Sequence, residues 1–171
     1  TQVQFMLDRN CALSFSDYRF VTEDGEKIGR RLRGFSSVGW HLHHMTRYLG
    51  CLTIVLDQSK IPYFRFPDLK TARRAEDFLA WSYCINQAGP ALRCPHDLAR
   101  YSVVPNSRST VTPSSVGSVW RLYTDVEGIP FPVASFYFLM FALGVVWKRY
   151  RYRPSFDRAD IDVDHEWSLF R

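Results

Sequence analysis

The sequence predicts a mainly α-helical protein with a single-pass transmembrane helix near its C-terminal end, a helical N-terminal region before it and a short C-terminal tail after it. Three observations carry this expectation. Twenty residues without a charge run from Gly128 to Trp147, between Glu127 and Lys148. At 1.5 Å per residue they span about 30 Å as a helix, the thickness of a bilayer's hydrocarbon core. Leu32, Phe35, Val38, Leu42 and Met45 recur at separations of three or four, which is the spacing of one helical face. Finally, Asp68-Leu69-Lys70-Thr71 carries a helix start after Pro67, and Ala72, Ala75, Leu79 and Tyr83 would line one face as far as about Gln87, before Gly89-Pro90 stops the helix.

Taken in order, Thr1 to Phe20 shows a mixed pattern, and Asp24-Gly25 inside Thr22–Lys27 reads as a polar turn. The helical spacing then runs from Ile28 to Leu49, weakened by Gly34 and Gly39. The apolar run Leu49–Leu56 is too short to cross a bilayer as a helix and is a buried strand or a short core helix. Pro62 and Pro67 bracket an aromatic loop, and a second short helix is expected after Pro95. Residues 105–117, with four serines and two prolines, form a loop that divides the chain. The expected organisation is an extramembrane region over 1–127, the transmembrane helix over 128–147, and a tail over 148–171 that is first basic and aromatic, then acidic.

Length and composition permit one domain with an appended segment. The chain has 171 residues, 46% hydrophobic and 23% charged, which excludes a disordered or low-complexity protein. Aromatic residues reach 16%, so large apolar surfaces need burial against protein or lipid. A net charge of +5 suits anionic lipid, nucleic acid or an acidic partner without choosing among them. The first residues have neither a signal peptide's apolar run nor a transit peptide's Arg- and Ser-rich character, so a processed mature form is expected.

Both ends of the apolar run carry boundary signals. Pro130 and Pro132 sit where a helix begins, and Ser135 and Tyr137 are the strongly hydrogen-bonding side chains within it. The expected membrane-interface and lipid-contacting residues are Trp147, Lys148, Arg149, Tyr150, Arg151, Tyr152 and Arg153, with aromatic rings at headgroup level and basic ends reaching the phosphates. The alternative is a helix buried in protein on every side. Within fifteen residues of the run the N-terminal flank holds one basic residue, Arg121, and the C-terminal flank five. This bias would place the C-terminus on the inner side.

The stretch Trp147–Asp157, followed by Glu166-Trp167, resembles the membrane exit of subunit IV of mitochondrial cytochrome c oxidase, where an apolar helix ends in Trp, a basic residue, a Tyr-x-Tyr pair and Pro. The resemblance covers about a quarter of the chain. Asp160–Asp164 adds spacing that the family lacks, and the first hundred residues resemble nothing in it. It implies a non-catalytic accessory subunit of an inner-membrane respiratory complex, without a redox centre or other cofactor, whose partners are the neighbouring subunits and membrane lipids. An accessory subunit of complex I or ATP synthase, or an RNA-associated mitochondrial ribosomal component, is the alternative. The family topology would place the C-terminus in the intermembrane space, opposite to the charge bias.

Candidate chemistry is sparse. Cys84 and Cys94 are nine residues apart, the spacing of helix-hairpin proteins stapled by disulfides, and stand either as one disulfide or as unrelated reduced thiols. His41, His43 and His44 could present two imidazoles to a metal with Cys51 as a distant ligand, but match no zinc spacing, and surface or interface histidines are the expected reading. The basic cluster Gly29-Arg30-Arg31-Leu32-Arg33-Gly34, beside Phe35 and Trp40, could grip nucleic acid; beside Glu23, Asp24 and Glu26 a solvated or subunit-facing edge is the more ordinary reading. With no Gly-x-Ser-x-Gly turn and no phosphate-cradling glycine loop, no catalytic, cofactor or metal residue is assigned and no nucleic-acid partner is expected.

Overall fold

Leu13-Ser14-Phe15-Ser16 alternates apolar with small polar residues, the period of a strand, and in the computed structural model it opens β1 (Leu13–Val21), the centre of the sheet. The structure describes residues 1–22, 25, 28–67, 75–102 and 113–151, with backbone alone at 30, 113–116 and 147–151. Ahead of β1 lies the short helix α1 (Gln2–Arg9), which ends at Asn10 in the left-handed conformation. Gln2 donates to the Ser14 hydroxyl and to the Thr53 carbonyl, tying α1 to the sheet.

The remaining strands gather around β1. β2 (Ile28–Leu32) pairs with it antiparallel, Tyr18 opposite Leu32. β3 (Ser37–Val38) precedes helix α2 (Trp40–Thr46), and β4 (Val55–Leu56) pairs with the start of β1. Helix α3 (Glu76–Ala88) leads into β5 (Ala91–Ser102), which runs parallel to β1. Among the described residues the result is a five-stranded mixed sheet in the order β2-β1-β5-β3, with β4 on the flank of β1. The register of β1 against β5 slips on either side of the pair Asp17–Asp97, just after Pro95. Proline has no N–H to give to a ladder, and a bulge is where a strand accommodates it.

This architecture corrects the expectation of a mainly α-helical chain. The fold is mixed α/β. The spacing over 28–49 imitates a helical face, but Ile28–Leu32 completes the edge of β1 and only Trp40–Thr46 is helical. Gly34 shows why: a Cβ there would lie 2.4 Å from Cε1 of Tyr48, so this ring packs directly on the backbone. The second helix expected after Pro95 is instead β5. Helix α3 does stop before Gly89, which takes a φ of 86° open to glycine. It starts at Glu76 rather than near Asp68, and residues 68–74 lie outside the described ones.

Among the described residues two cores form. Beneath the sheet, Leu13, Phe15, Val38, Leu49 and Ile61 pack against Ala80, Trp81, Cys84 and Ile85 of α3. The second core joins Ala75 and Phe78 to α4 (Pro113–Arg121), to the π-helical turn Leu122–Val126 and to α5 (Phe131–Arg151). Helix α4 begins inside the stretch expected as a loop over 105–117.

Among the described residues no helix is long and apolar enough to cross a membrane, which overturns the single-pass reading. The uncharged run is real, but Gly128, at φ 63°, and Ile129-Pro130 stand outside the helix, which starts at Phe131. One side of α5 is spent on protein: Ala134, Tyr137 and Phe141 are buried against Val119, Leu122 and Tyr123. Of the expected interface residues, Trp147, Lys148, Arg149, Tyr150 and Arg151 fall in the last turns of α5, where only the backbone is described. Tyr152, Arg153 and the acidic tail lie outside the described residues.

Buried charge crosses the sheet. Asp17, fully buried, accepts from Arg31 Nε at 3.1 Å and from Arg93 at 3.2 Å, and Asp97 takes Arg19 Nε at 2.6 Å and Arg100 at 3.0 Å. Arg31, read in the sequence as part of a basic edge, is therefore committed to the sheet, while Arg33 is exposed.

Candidate functional site

Helix α2 is short, yet three of its seven residues are histidines, and the second core closes around them. His43 and His44 are fully buried rather than at the surface. The His43 ring stacks on Phe78 at 4.3 Å, and its Nε2 donates to the Phe78 carbonyl at 3.0 Å. Burial presses its pKa down to about 3, helped by His44 and Arg47 and opposed by the hydrogen bond to Phe78. His43 is thus a neutral, structural imidazole at ordinary pH.

His44 and His41 share a face, as their spacing predicts, and both reach the C-terminal helices. His44 Nδ1 donates to the Trp40 carbonyl at 2.8 Å, and its Nε2 meets the Glu127 carboxylate. Both ring nitrogens face oxygen atoms, which ties α2 to the Trp40 backbone on one side and to Glu127 on the other. His41 Nδ1 lies 2.5 Å from the Tyr137 hydroxyl, and Tyr123 donates to the His44 carbonyl at 2.5 Å. The π-helical turn puts Tyr123 and Glu127 where α2 needs them, and π-turns recur where side chains are re-aimed for a purpose. Among the described residues no three of His, Cys, Asp and Glu gather as a metal site. Cys51 is exposed.

Beside this cluster lies the start of α3. Arg47, the C-cap of α2 at φ 43°, holds its guanidinium 5.0 Å from the Phe78 ring centre and 5.8 Å from that of Phe141. Burial lowers its pKa, and the nearby Asp77 carboxylate and, after it, Tyr123 act the other way. Asp77, half-buried in the first turn of α3, accepts from the Phe78 N–H at 2.7 Å. Its charge also helps raise the Cys51 thiol, after the larger effect of burial. A carboxylate at a helix N-terminus is held by the backbone dipoles there.

Most of the other described carboxylates have side-chain partners. Asp17 and Asp97 are locked between arginines, Glu127 faces His44, Asp57 closes a turn with Ser59, and Asp125 accepts from Thr124. Asp77 combines partial exposure, a neighbouring cation and an apolar wall. The sequence reading missed it because the expected helix start at Asp68 put Glu76-Asp77 in mid-helix; two acidic residues in succession ahead of an apolar stretch were the available signal. Glu127 was taken as a flank of the apolar run and Arg47 was not singled out.

Cys84 on α3 and Cys94 on β5 are free thiols, both fully buried. Burial pushes the Cys84 thiol up to about 11 and raises that of Cys94.

The chain is 26% identical over 148 residues to a putative teichuronic acid biosynthesis glycosyltransferase, TuaG, of Bacillus subtilis (strain 168). The alignment covers 86% of this chain and 58% of that protein, so the chain spans little more than half the length of this relative. No protein-family model matches the chain, and no solved structure matches it. This likeness overturns the resemblance to cytochrome c oxidase subunit IV and with it the non-catalytic accessory subunit of a respiratory complex, its stated alternatives, and the mitochondrial inner-membrane location. A similarity over most of the chain to a bacterial enzyme outweighs a motif confined to its last quarter. Of the motif, residues 147–151 continue α5, a helix of an α/β fold.

Proposed function

We propose that this chain is part of a glycosyltransferase, an enzyme that moves a sugar from an activated donor to a hydroxyl acceptor. The observation that carries the reading is the 148-residue likeness to the Bacillus glycosyltransferase. The reaction joins the acceptor oxygen to the anomeric carbon while the bond from that carbon to the donor's leaving group breaks, and the acceptor's proton must go to a base. In this reading Asp77 takes the proton. Its carboxylate is partly exposed, stands in the first turn of a rigid helix, and has the Arg47 guanidinium in its neighbourhood. Arg47 keeps its own place through the Phe78 and Phe141 rings. The His44–Glu127 and His41–Tyr137 contacts then serve as the support that fixes α2, and thus Arg47, relative to α3.

The test is transfer of radiolabelled sugar from a panel of nucleotide sugars to glycan acceptors by the purified protein. Asp77→Asn should lower turnover by about 100-fold or more with little change in donor binding, the size of effect expected for a positioned base. Absence of transfer with every donor, or full activity in Asp77→Asn, would refute the assignment.

A further inference from the structure

Helix α5 has two opposite apolar faces, and protein covers one of them. Ala134, Tyr137 and Phe141 are buried, whereas Phe131, Phe136, Leu139, Leu143 and Val146 are each half or more exposed. At 100° per residue, Phe136, Leu139, Leu143 and Val146 fall on one side of the helix, opposite the buried set. Between Phe131 and Val146 the polar side chains are Ser135, half-buried, and Tyr137, buried, so the exposed face is apolar along about 20 Å of helix. Contiguous apolar faces of this kind mark a surface that something else covers.

Charge says what covers it. The chain follows Val146 with Trp147-Lys148-Arg149-Tyr150-Arg151-Tyr152-Arg153, and no acidic residue stands between Glu127 and Asp157. A second copy of the same face would bring four more cations and no anions. An anionic lipid surface supplies both an apolar layer for the leucines and phenylalanines and phosphates for the basic run. We propose that the exposed face of α5 seats this protein on an anionic bilayer, with the helix lying in the plane of the interface rather than crossing it. Such a seat needs one apolar face and a protein-packed back, which is the arrangement α5 has. The inference stands on α5 and on the charges after it, and does not depend on the reading of Asp77.

Flotation of the full chain with vesicles tests it. Vesicles of phosphatidylcholine containing phosphatidylglycerol should bind the protein, and those of phosphatidylcholine alone should bind it weakly, with the difference shrinking as salt is raised. Leu139→Asp and Leu143→Asp, both at exposed positions, should each weaken binding by about tenfold or more. Lys148→Ser and Arg149→Ser should each weaken it about fivefold. Leu7→Asp, on the exposed side of α1, should leave it unchanged. Circular dichroism establishes that each variant is folded. The proposal is overturned if the folded wild-type chain ignores anionic vesicles, or if Leu139→Asp and Leu143→Asp bind as the wild type does. It is equally overturned if the wild type forms a dimer that these variants dissociate while no vesicle is bound, since the face then belongs to a second copy.

Discussion

His43 makes the stability of this fold depend on pH in a direction that can be worked out. In the unfolded chain its imidazole has the ordinary pKa of 6.5; in the folded protein burial against Phe78 brings it to about 3. Between these values the unfolded state binds a proton that the folded state refuses, so stability falls as pH falls from about 7 toward 3. Worked as a single site, the loss between pH 7 and pH 5 is about 2 kcal/mol, at roughly 1.4 kcal/mol per pH unit once pH is below 6.5. The perturbation is His43→Gln, which can still donate to the Phe78 carbonyl but cannot titrate. Urea unfolding at pH 7 and pH 5 gives four free energies. The variant should be less stable than the wild type at pH 7, because the stacked ring is lost, yet it should lose about 2 kcal/mol less on acidification. Other groups titrate in both proteins and cancel in the comparison. Equal acid losses in the two proteins would refute the reasoning, since His43 would then not be the group that refuses the proton.

The buried charges of the sheet predict a large effect from a small change: Asp17→Asn leaves Arg31 and Arg93 facing a neutral amide and should cost about 3 kcal/mol in urea unfolding. Gly89→Ala isolates backbone strain, because no atom lies within 4 Å of the added Cβ while φ is 86°; it should cost about 1 to 2 kcal/mol, read as a lowered Tm. Iodoacetamide on the native protein should label Cys51 first, as it is exposed while Cys11, Cys84 and Cys94 are buried. In denaturant without reductant all four should label, and a count of two would show a disulfide instead.

Local punctuation was legible. Gly89-Pro90 ends a helix because no side chain tolerates that φ readily and proline cannot continue the pattern. The pairing of His41 and His44 on one face followed from helical spacing alone. The strands were not legible in the same way. In β1 the inward positions include Asp17 and Arg19, so the alternation that marks a half-buried strand is broken by charges whose partners lie on β2 and β5. Those partners are 14 to 78 residues away in sequence.

The sequence by itself determined that an uncharged apolar helix follows Glu127 and that a basic, aromatic run follows it, since charge and hydropathy are properties of the chain. It also determined the stop at Gly89. Only the tertiary structure decided what the apolar helix faces. A run of phenylalanine, leucine and valine is equally at home against lipid and against protein, and the choice rests on whether other residues supply a matching surface. Here Val119, Leu122, Tyr123 and the histidines of α2 supply it on one side of α5, through contacts whose partners are brought together by the fold. The same closure buried two histidines that no local pattern marks as buried, and it set Asp77 beside Arg47 across thirty residues of chain.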